Sequence, residues 1–505
     1  MPADTARPVG HHRVAATVDA DDLKDVVASL LSDGMRLALV SGHDNGASMR
    51  AVYLFTGGPP DRRIEIHVPI DRSRPQVPSL AALSFPASRF ERELSDLFGI
   101  EPIDHPQPRR LVLHQHWPAG WHPMRDGSGD APSMVAYAGS FPFIPVDGTG
   151  VYEIPVGPVH AGLIEPGHFR FWVVGETILR MKARLWFVHK GIERLCQGKT
   201  IALGLDIAER ISGDTAVGHG LAYCLAVEDA RHTQVPVNAQ RLRSVLLELE
   251  RLYNHVTDVG ALCNDVGFGI AQAWALTLRE RLLRLNRAVT GHRLLRGGVV
   301  PGGARVLRLP SEDELIEIGQ QFEELVELIM SSALVMERFT GTAVLDEAHA
   351  RDLGVIGVVG RASGLAFDAR ISHPLVEPGD GFLPAVESGG DVLARFRIRV
   401  DEVRASLSLL AGFVGRSDVI DVVTRLGDRA GGQASQGGVG IAEGWRGAVV
   451  HRVELDEGDR LVRLKVVDPS FLNWPALPVC LTDTIVPDFP LANKSFNLSY
   501  AGNDL

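Results

Sequence analysis

Two short polar segments, far apart in the chain, share one spacing of side chains. Ser212 and Thr215 stand at positions i and i+3, and Ser470 and Asn473 repeat that spacing near the C-terminus. Side chains three residues apart lie on one face of a helical turn and can point at one atom. With cysteine at all four positions, the segments would read C-x-x-C-x-x-x-H, ending at His219, and D-P-C-x-x-C. Each segment therefore has the side-chain spacing of a metal-binding motif, with hydroxyl and amide groups in place of soft thiolates.

Length and charge limit what kind of protein this is. A chain of 505 residues is too long for one hydrophobic core, so at least two domains are expected. Apolar residues make up 45% and charged residues 22%, as in ordinary globular proteins. The formal net charge is -11, without a basic tail or arm, which argues against nucleic acid or anionic lipid as the main partner.

The cysteines do not form a metal or disulfide framework. None of the four lies within four residues of another, so no C-x-x-C zinc or cluster motif is present. So few cysteines, and no signal-peptide pattern after Met1, predict a cytosolic setting. No run of about 18 apolar residues occurs. No direct membrane span is therefore expected, and any association with a membrane must come through partners.

Residues 1–125 are predicted to form a small α/β domain. Apolar periodicity and alternation predict helices over 21–31 and 79–98 and strands over 36–41, 51–56 and 63–69. The second helix ends in the phrase Phe90-Glu-Arg-Glu-Leu-Ser-Asp-Leu-Phe-Gly-Ile100, whose residues 91–93 are expected to form a charged helix face with Leu94, Leu97 and Phe98 packed beneath it. A stretch rich in Gly, Ser and Pro over 126–145 is predicted to be a linker.

Residues 146–505 are predicted to form a mainly α domain with small β-sheets. A hairpin is expected from strands over 169–174 and 176–181, with helical spacing from about Ala183. Long amphipathic helices are predicted over 241–265, 269–290, 311–338 and 393–411. The predicted fold class of the whole chain is therefore α+β.

Several long phrases resemble a known family. They are Pro158-Val-His-Ala-Gly-Leu-Ile-Glu-Pro-Gly-His-Phe-Arg-Phe171, His189-Lys-Gly-Ile-Glu193, Leu247-Glu-Leu-Glu-Arg-Leu-Tyr-Asn-His255 and Gly360-Arg-Ala-Ser-Gly-Leu-Ala-Phe-Asp-Ala-Arg370. With the Phe90 phrase, they make the chain similar to the large subunit of group 4, energy-converting nickel–iron hydrogenases. That family is related to the 30-kilodalton and 49-kilodalton subunits of respiratory complex I. The resemblance implies a 30-kilodalton-like domain fused to a hydrogenase-large-subunit or 49-kilodalton-like domain, the arrangement of the formate hydrogenlyase large subunit.

The resemblance also assigns a former role to the four polar positions. In the active hydrogenases, four cysteine thiolates hold nickel, and two of them bridge to an iron. Carried onto this chain, these ligands fall on Ser212, Thr215, Ser470 and Asn473. Hydroxyl and amide oxygens are poor nickel ligands and do not bridge to low-spin iron as thiolates do. The chain is therefore expected to hold no nickel–iron centre and no other cofactor of its own, while quinone stays open as a ligand of the vacated site.

Four groups that surround the metals in the family are kept. The resemblance implies that Glu165 is the carboxylate that passes protons, His219 the histidine closing the first motif, and Arg446 the arginine above the metals. Asp265 matches the acid that pairs with the quinone-side histidine of the 49-kilodalton subunit. We expect these four to form a buried polar cluster. It would be either an inherited structural network or a proton relay or ligand cavity.

Two histidines are weaker candidates for binding quinone or lining the cavity. His160 resembles a histidine of the quinone loop of the 49-kilodalton subunit, and His189 is expected at a surface or interface. The tyrosine that hydrogen-bonds quinone in complex I falls on Gly213. A quinone site of the complex I kind would therefore be incomplete.

The resemblance implies a peripheral subunit on the cytoplasmic face of the cell membrane. Its expected partners are a small subunit with a 4Fe-4S cluster, similar to the 20-kilodalton subunit of complex I, a ferredoxin-like iron–sulfur subunit, and integral antiporter-like membrane subunits. The chain would take part in electron transfer to quinone or another small acceptor, coupled to proton movement. An active hydrogenase with altered ligands and a non-catalytic scaffold remain as alternatives. The glycine-bearing loops lack the strand–G-x-G-x-x-G–helix context, so NAD binding is not expected.

Overall fold

The N-terminal part is built on a five-stranded mixed sheet. The computed structural model describes residues 6–137, 141–161, 164–377, 382–415, 420–427 and 436–505. The first elements are β1 (Arg7–Gly10), β2 (Arg13–Thr17), α1 (Leu23–Ser32), β3 (Arg36–Asp44), β4 (Met49–Gly57), β5 (Arg62–Ile70), β6 (Gln76–Pro78), α2 (Phe85–Phe98) and β7 (Glu101–Ile103). The sheet order is β1-β2-β5-β4-β3, with β2 parallel to β5 and the other neighbours antiparallel. Both predicted helices and the three predicted strands are present, although α2 begins six residues later than expected, with a proline in its first turn.

The rest of the chain is mainly helical. Its elements are β8 (Val151–Val156), β9 (His168–Val174), β10 (Thr177–Arg184), α3 (Ile192–Cys196), α4 (Ile201–Ala208), α5 (Ala216–Ala230), α6 (Val237–Asp265), α7 (Gly269–Thr290), β11 (Val299–Val300), β12 (Gly303–Arg305), α8 (Glu312–Met330), α9 (Ala333–Phe339), α10 (Glu347–Leu353), α11 (Gly357–Ala362), α12 (Ala369–Ser372), α13 (Val392–Val414), β13 (Asp421–Val423), β14 (Gln436–Gly444), β15 (Gly447–Leu455), β16 (Leu461–Val467), α14 (Pro469–Asn473), α15 (Ala476–Cys480), α16 (Phe489–Phe496) and α17 (Tyr500–Asp504). Small three-stranded sheets accompany these helices. The α+β fold class is confirmed.

Two helix predictions were wrong in detail. No helix begins near Ala183, because β10 continues to Arg184 as the partner of β9 and the next helix starts at Ile192. The helix predicted over 311–338 is two helices, α8 and α9, separated at Ser331 and Ser332. Serine competes for backbone hydrogen bonds and is common at such helix ends.

The hairpin of β14 and β15 lies directly against α5. A Cβ atom added at Gly438 or Gly440 would stand 2.0 Å from the carbonyl oxygen of Ala226 or Ala222, respectively. Only glycine permits such a close approach of strand and helix. This contact fixes the turn between β14 and β15 relative to the N-terminal end of α5.

The predicted domains share a hydrophobic core. Phe98 of α2 and Ile66 of β5 belong to the same buried cluster as Val450 of β15 and Trp474. The described parts of 126–145 contain no helix or strand, as expected for a linker, and 138–140 lie outside the described residues. So do residues 1–5 of the predicted N-terminal domain and residues 162–163 of the phrase that begins at Pro158. The domain boundary at 125 remains a prediction. Within the described residues, no helix combines the length and apolar character needed to cross a membrane.

Candidate functional site

The four positions singled out by the sequence come together where α5 and α14 begin. Ser212 and Thr215 precede α5, and Ser470 lies in α14. Ser499 joins the two segments, because its hydroxyl lies 2.8 Å from Ser212 Oγ and its backbone N–H donates to Ser470 Oγ at 2.9 Å. The prediction that distant segments meet at one site is therefore confirmed by the fold.

The fourth position, Asn473, is bound to the backbone before α11. Its Oδ1 accepts a hydrogen bond from Ile356 N at 2.9 Å, and its Nδ2 donates to Ile356 O at 3.0 Å. All four side chains at the former ligand positions are buried. Each makes hydrogen bonds within the protein, so the polar groups are satisfied as buried polar groups must be.

Arg446 is the cation of the site and lies in the turn between β14 and β15. It donates from both terminal nitrogens to the two carboxylate oxygens of Asp214, each at 2.7 Å, and from Nε to Asn497 O at 2.5 Å. Its guanidinium carbon stands 3.9 Å from the centre of the Trp445 ring. Burial opposes ionisation of Asp214, but the Arg446 charge outweighs it and lowers the pKa of Asp214 to about 2. The site therefore contains a fixed, bidentate ion pair.

A chain of hydrogen bonds runs inward from Asp468. His219 Nε2 lies 3.0 Å from Asp468 Oδ2, and His219 Nδ1 lies 3.0 Å from His451 Nε2. Burial, together with neighbouring His219, lowers the pKa of His451 well below its ordinary value. Burial would raise the pKa of Asp468, but the hydrogen bond from His219 outweighs it and lowers that pKa. Two imidazoles and an ionised carboxylate thus form a continuous buried chain.

The expected buried cluster of four residues is only partly formed. His219 and Arg446 are buried, and the carboxylate of Asp468 acts on both. Glu165 is exposed in the loop between β8 and β9, where its Oε2 accepts a hydrogen bond from Ala501 N at 3.0 Å. Asp265 is exposed because it is the last residue of α6 and extends beyond the core. The prediction of burial was wrong for these two residues.

A different acid of α6 lies near the site. Asp258, two turns before Asp265 on the same helical face, is buried. It is paired with Arg399 at 2.9 Å and accepts a hydrogen bond from Asn497 Nδ2 at 2.7 Å. Since the backbone carbonyl of Asn497 accepts from Arg446 and its side-chain amide donates to Asp258, this residue connects Arg446 to Asp258. The sequence signal that could have identified Asp258 is a carboxylate on the apolar face of a long amphipathic helix.

The two weaker histidine candidates bind backbone carbonyls. His160 Nε2 lies 2.7 Å from Gly167 O across the β8–β9 loop, and His189 Nδ1 lies 2.6 Å from Asp504 O. Burial lowers the pKa of His189. Neither is hydrogen-bonded to the Arg446 pair or to the buried histidine chain, so any role for them in ligand binding stays a prediction.

Sequence reasoning did not identify Asp214, Asp468, His451 or Ser499 as site residues. Asp214 and Asp468 stood inside the two segments, next to the positions on which the resemblance focused. His451 lies in the middle of β15, where every residue is buried, and a histidine in such a strand was an available signal. The role of Ser499 depends on the return of the C-terminal segment to α14, which no local pattern predicts.

Comparisons with known proteins agree with this architecture. Residues 16–129 match the family of the respiratory-chain NADH dehydrogenase 30 Kd subunit, and residues 265–420 match that of the 49 Kd subunit. Formate hydrogenlyase subunit 5 of Escherichia coli (strain K12) is 32% identical over 97% of this chain and 89% of its own length. Hydrogenase-4 component G of the same organism is 30% identical over 97% of this chain and 88% of its own length.

A solved structure shows the same fold in the larger part of the chain. It is that of the membrane-bound sulfane sulfur reductase, an archaeal respiratory membrane complex, with a TM-score of 0.64 at 24% identity. The match covers 72% of this chain and 100% of that chain. The fused 30 Kd and 49 Kd regions define the class of protein. Within that class, the chain belongs to the family of formate hydrogenlyase subunit 5 and hydrogenase-4 component G.

Proposed function

We propose that this chain is a peripheral subunit of a membrane respiratory complex that moves electrons and protons without a nickel–iron centre. The observation that carries the proposal is the state of the four former ligand positions. They hold hydroxyl and amide groups that are buried and already bonded within the protein. The surrounding fold is nevertheless that of the family.

The donor atoms do not fit nickel and iron. Thr215 Oγ1 accepts from Trp445 Nε1 and Arg446 Nη1, each at 3.2 Å, and donates to Asp214 Oδ1 at 3.1 Å. One donor and two acceptor positions are all that a hydroxyl offers. No step of the proposed activity passes through such a centre.

What the chain itself supplies is an ordered polar site next to solvent. Asp214 keeps 39% of its side-chain surface exposed, so the pair it forms with Arg446 faces outward. Behind it, Asp468, His219 and His451 can shift a proton along their hydrogen bonds, because a neutral imidazole both donates and accepts. We propose that this site supplies or receives the proton when a small acceptor such as quinone is reduced nearby.

The proposed partners carry the electrons and the membrane spans. They are a 4Fe-4S small subunit, a ferredoxin-like iron–sulfur subunit and integral antiporter-like subunits, with this chain on the cytoplasmic face. The names of the relatives support membership of a multisubunit complex. Val159 and Ile164, on the same loop as His160 and Glu165, are exposed apolar residues, as is typical of a surface covered by a partner.

Metal analysis of the intact complex tests the proposal. We expect far less than one nickel per copy of this chain, iron in the amount that the iron–sulfur subunits require, and no hydrogen evolution or uptake. The matched control is a complex containing a four-cysteine hydrogenase large subunit, prepared and measured in the same way. Stoichiometric nickel, or hydrogen turnover by this complex, would show that the ligands are altered rather than lost.

Replacing Arg446 with lysine separates an active site from a scaffold. Lysine keeps the charge but loses the bidentate bonds to Asp214, each charge-assisted bond being worth about 1.5–3 kcal/mol. We expect acceptor reduction to fall by about tenfold or more, while the subunits still assemble. Arg284→Lys, at an exposed arginine paired with Glu280, is the control and should change nothing. Unchanged turnover in Arg446→Lys would favour the scaffold alternative.

A further inference from the structure

A buried ion cluster lies behind the turn that carries Arg446. Its members come from α6, α11, α12, α13, β14 and the residues before α12, and each side chain is at most 9% exposed. They are Arg251, Arg361, Arg370, Glu248, Asp368, Glu402 and Glu443. The cluster holds the turn in place, because Arg251 donates to the backbone carbonyls of Glu443 at 2.6 Å and Gly444 at 3.1 Å.

The charges of this cluster do not balance. Three guanidinium groups face four carboxylates, so one negative charge is in excess if every carboxylate is ionised. His255 does not offset it. Its Nε2 is bonded to Glu402 at 3.0 Å, its Nδ1 has no hydrogen-bond partner among the described residues, and burial lowers its pKa. Arg36, the next cation, acts on Glu443 only through space. An uncompensated charge in the interior is strongly unfavourable, and one bound proton removes it.

Glu443 is the carboxylate with the fewest cationic contacts. Its Oε1 accepts from Arg361 Nη1 and its Oε2 from Ala369 N, both at 2.9 Å. The other three each accept from two or more cationic side chains, and Glu402 also accepts from His255. Burial raises the pKa of Glu443 to about 7, Asp368 adds to the rise, and Arg361 and Arg251 oppose it.

A small cavity gives this carboxylate a route to water. Its volume is about 30 Å³, and Ser244, Glu248, Arg370, His373 and Glu443 line part of it. A water needs roughly 10–15 Å³, so about two waters fit. His373 donates from Nδ1 to Asp61 at 2.7 Å, whereas its buried Nε2 has no partner within the part of the chain that the structure describes. That ring nitrogen can accept a hydrogen bond from a cavity water.

The small cavity adjoins a large one between the two predicted domains. The larger cavity has a volume of about 990 Å³ and includes His11, Asp61, Arg63 and Asp229 in its wall. Both cavities are lined by Arg370, His373, Leu375 and Ile441. These four residues therefore lie between the solvent side of the domain junction and the buried ion cluster.

We propose that Glu443 is a proton-loading site that is filled from this domain-junction cavity, on a route separate from Glu165. A hydronium ion in the cavity transfers its proton to a Glu443 carboxylate oxygen, forming an O–H bond and leaving water. Since Glu443 immediately precedes the Gly444–Gly447 turn, loading or unloading changes the field at Arg446. The inference rests on the proposed coupling of proton movement to electron transfer, and it gives that coupling an entrance in this chain.

Infrared difference spectroscopy of the intact complex tests for the proton. Spectra are compared about one pH unit below and above the pKa of about 7. We expect the C=O stretch of a carboxylic acid to be lost on raising the pH, and this signal to be missing in Glu443→Gln. Glu347→Gln, at an exposed glutamate paired with Arg351, should keep it. A signal unchanged in Glu443→Gln would overturn the proposal.

Stability provides a second measurement. Glu443 has a higher pKa in the folded chain, about 7, than its ordinary value of 4.5. The folded state therefore binds more protons in that interval, and stability should decrease as pH rises from 4.5 through about 7. Glu443→Gln should remove the part of this slope that one proton contributes. An unchanged slope would contradict the assignment.

The route is tested by filling the small cavity. Ser244→Val removes the hydroxyl from its wall without touching a charge, and we expect hydrogen–deuterium exchange of the Glu443 signal to slow at least severalfold. Exchange as fast as in the unmodified complex would overturn the route. Neither infrared readout depends on the electron acceptor or on nickel. Stoichiometric nickel with an intact Glu443 signal would therefore reject the proposed function alone, and a missing signal in a nickel-free complex would reject this inference alone.

Discussion

Replacing Arg452 with alanine should destabilise the chain by about 3–5 kcal/mol, as expected when one member of a buried ion pair is removed. Arg452 of β15 donates from Nε to Glu65 Oε1 of β5 at 2.9 Å, and from Nη1 to Glu454 at 2.9 Å. Glu65 is 1% exposed, so water cannot replace the lost partner. Unfolding in denaturant, followed by circular dichroism on the purified chain or complex, measures the change.

Arg404→Ala is the matched control for this prediction. Arg404 also makes a two-oxygen pair, with Glu323, but both side chains are about half exposed. Exposed pairs contribute roughly 0–1 kcal/mol, so this variant should unfold almost like the unmodified chain. Equal effects of the two substitutions would mean that the junction between the predicted domains is not held by buried charge.

The Arg452 contacts also change the view of the N-terminal part. Lys465 of β16 reaches Glu93 of α2 at 2.6 Å, and Arg13 of β2 reaches Asp229 of α5 at 2.8 Å. Glu91 and Glu93 are both buried, so the prediction of a charged outer face over 91–93 was wrong for these two residues. The N-terminal part is joined to the rest through ion pairs and a common core. If the N-terminal part were expressed alone, its share of the common core and its unpaired charged side chains would be exposed to solvent.

Local sequence patterns were sufficient for the long helices and for the longer strands of the N-terminal part and the β9–β10 hairpin, but not for the short helices or for β14, β15 and β16. In α6, α7 and α13 the apolar residues recur with the helical period, and this pattern can be recognised within the helix itself. The structure places these helices within a few residues of the predicted bounds. The family resemblance, which rests on short phrases, likewise pointed to Ser212 and Thr215. Such signals are contained within a few turns of chain.

Burial and partners were harder to predict than position. Asp258 and Asp265 lie on one helical face, and periodicity does not tell how far along α6 the core extends. Glu165 matches a family motif, but its exposure depends on how the β8–β9 loop meets α17. Arg452 and Glu65 are 387 residues apart, and a pair at that separation has no local sequence signal.

Glu402→Gln should have the other largest effect, because Glu402 is the hub of the buried cluster. Its oxygens accept from Arg361, from Arg251 at 3.2 Å and from His255 at 3.0 Å. Arg251 keeps its contact with Glu248, and Arg361 keeps Asp368 and Glu443, but both lose the carboxylate that ties them together. We expect a loss of about 3–5 kcal/mol in the free energy of unfolding. Glu323→Gln, at the exposed pair with Arg404, is the control and should cost at most about 1 kcal/mol.

The same substitution also tests the charge count. With Glu402 neutral, three guanidinium groups face three carboxylates, so the cluster no longer needs a bound proton. Burial still favours the protonated form, but the pKa of Glu443 should fall, and its carboxylic acid signal should weaken in the infrared spectrum at neutral pH even though Glu443 is present. A signal of unchanged strength in Glu402→Gln would mean that burial alone, rather than the excess carboxylate, keeps Glu443 protonated. The free energy of unfolding therefore reports how much the cluster stabilises the fold, and the infrared signal of Glu443 reports whether the cluster holds a proton.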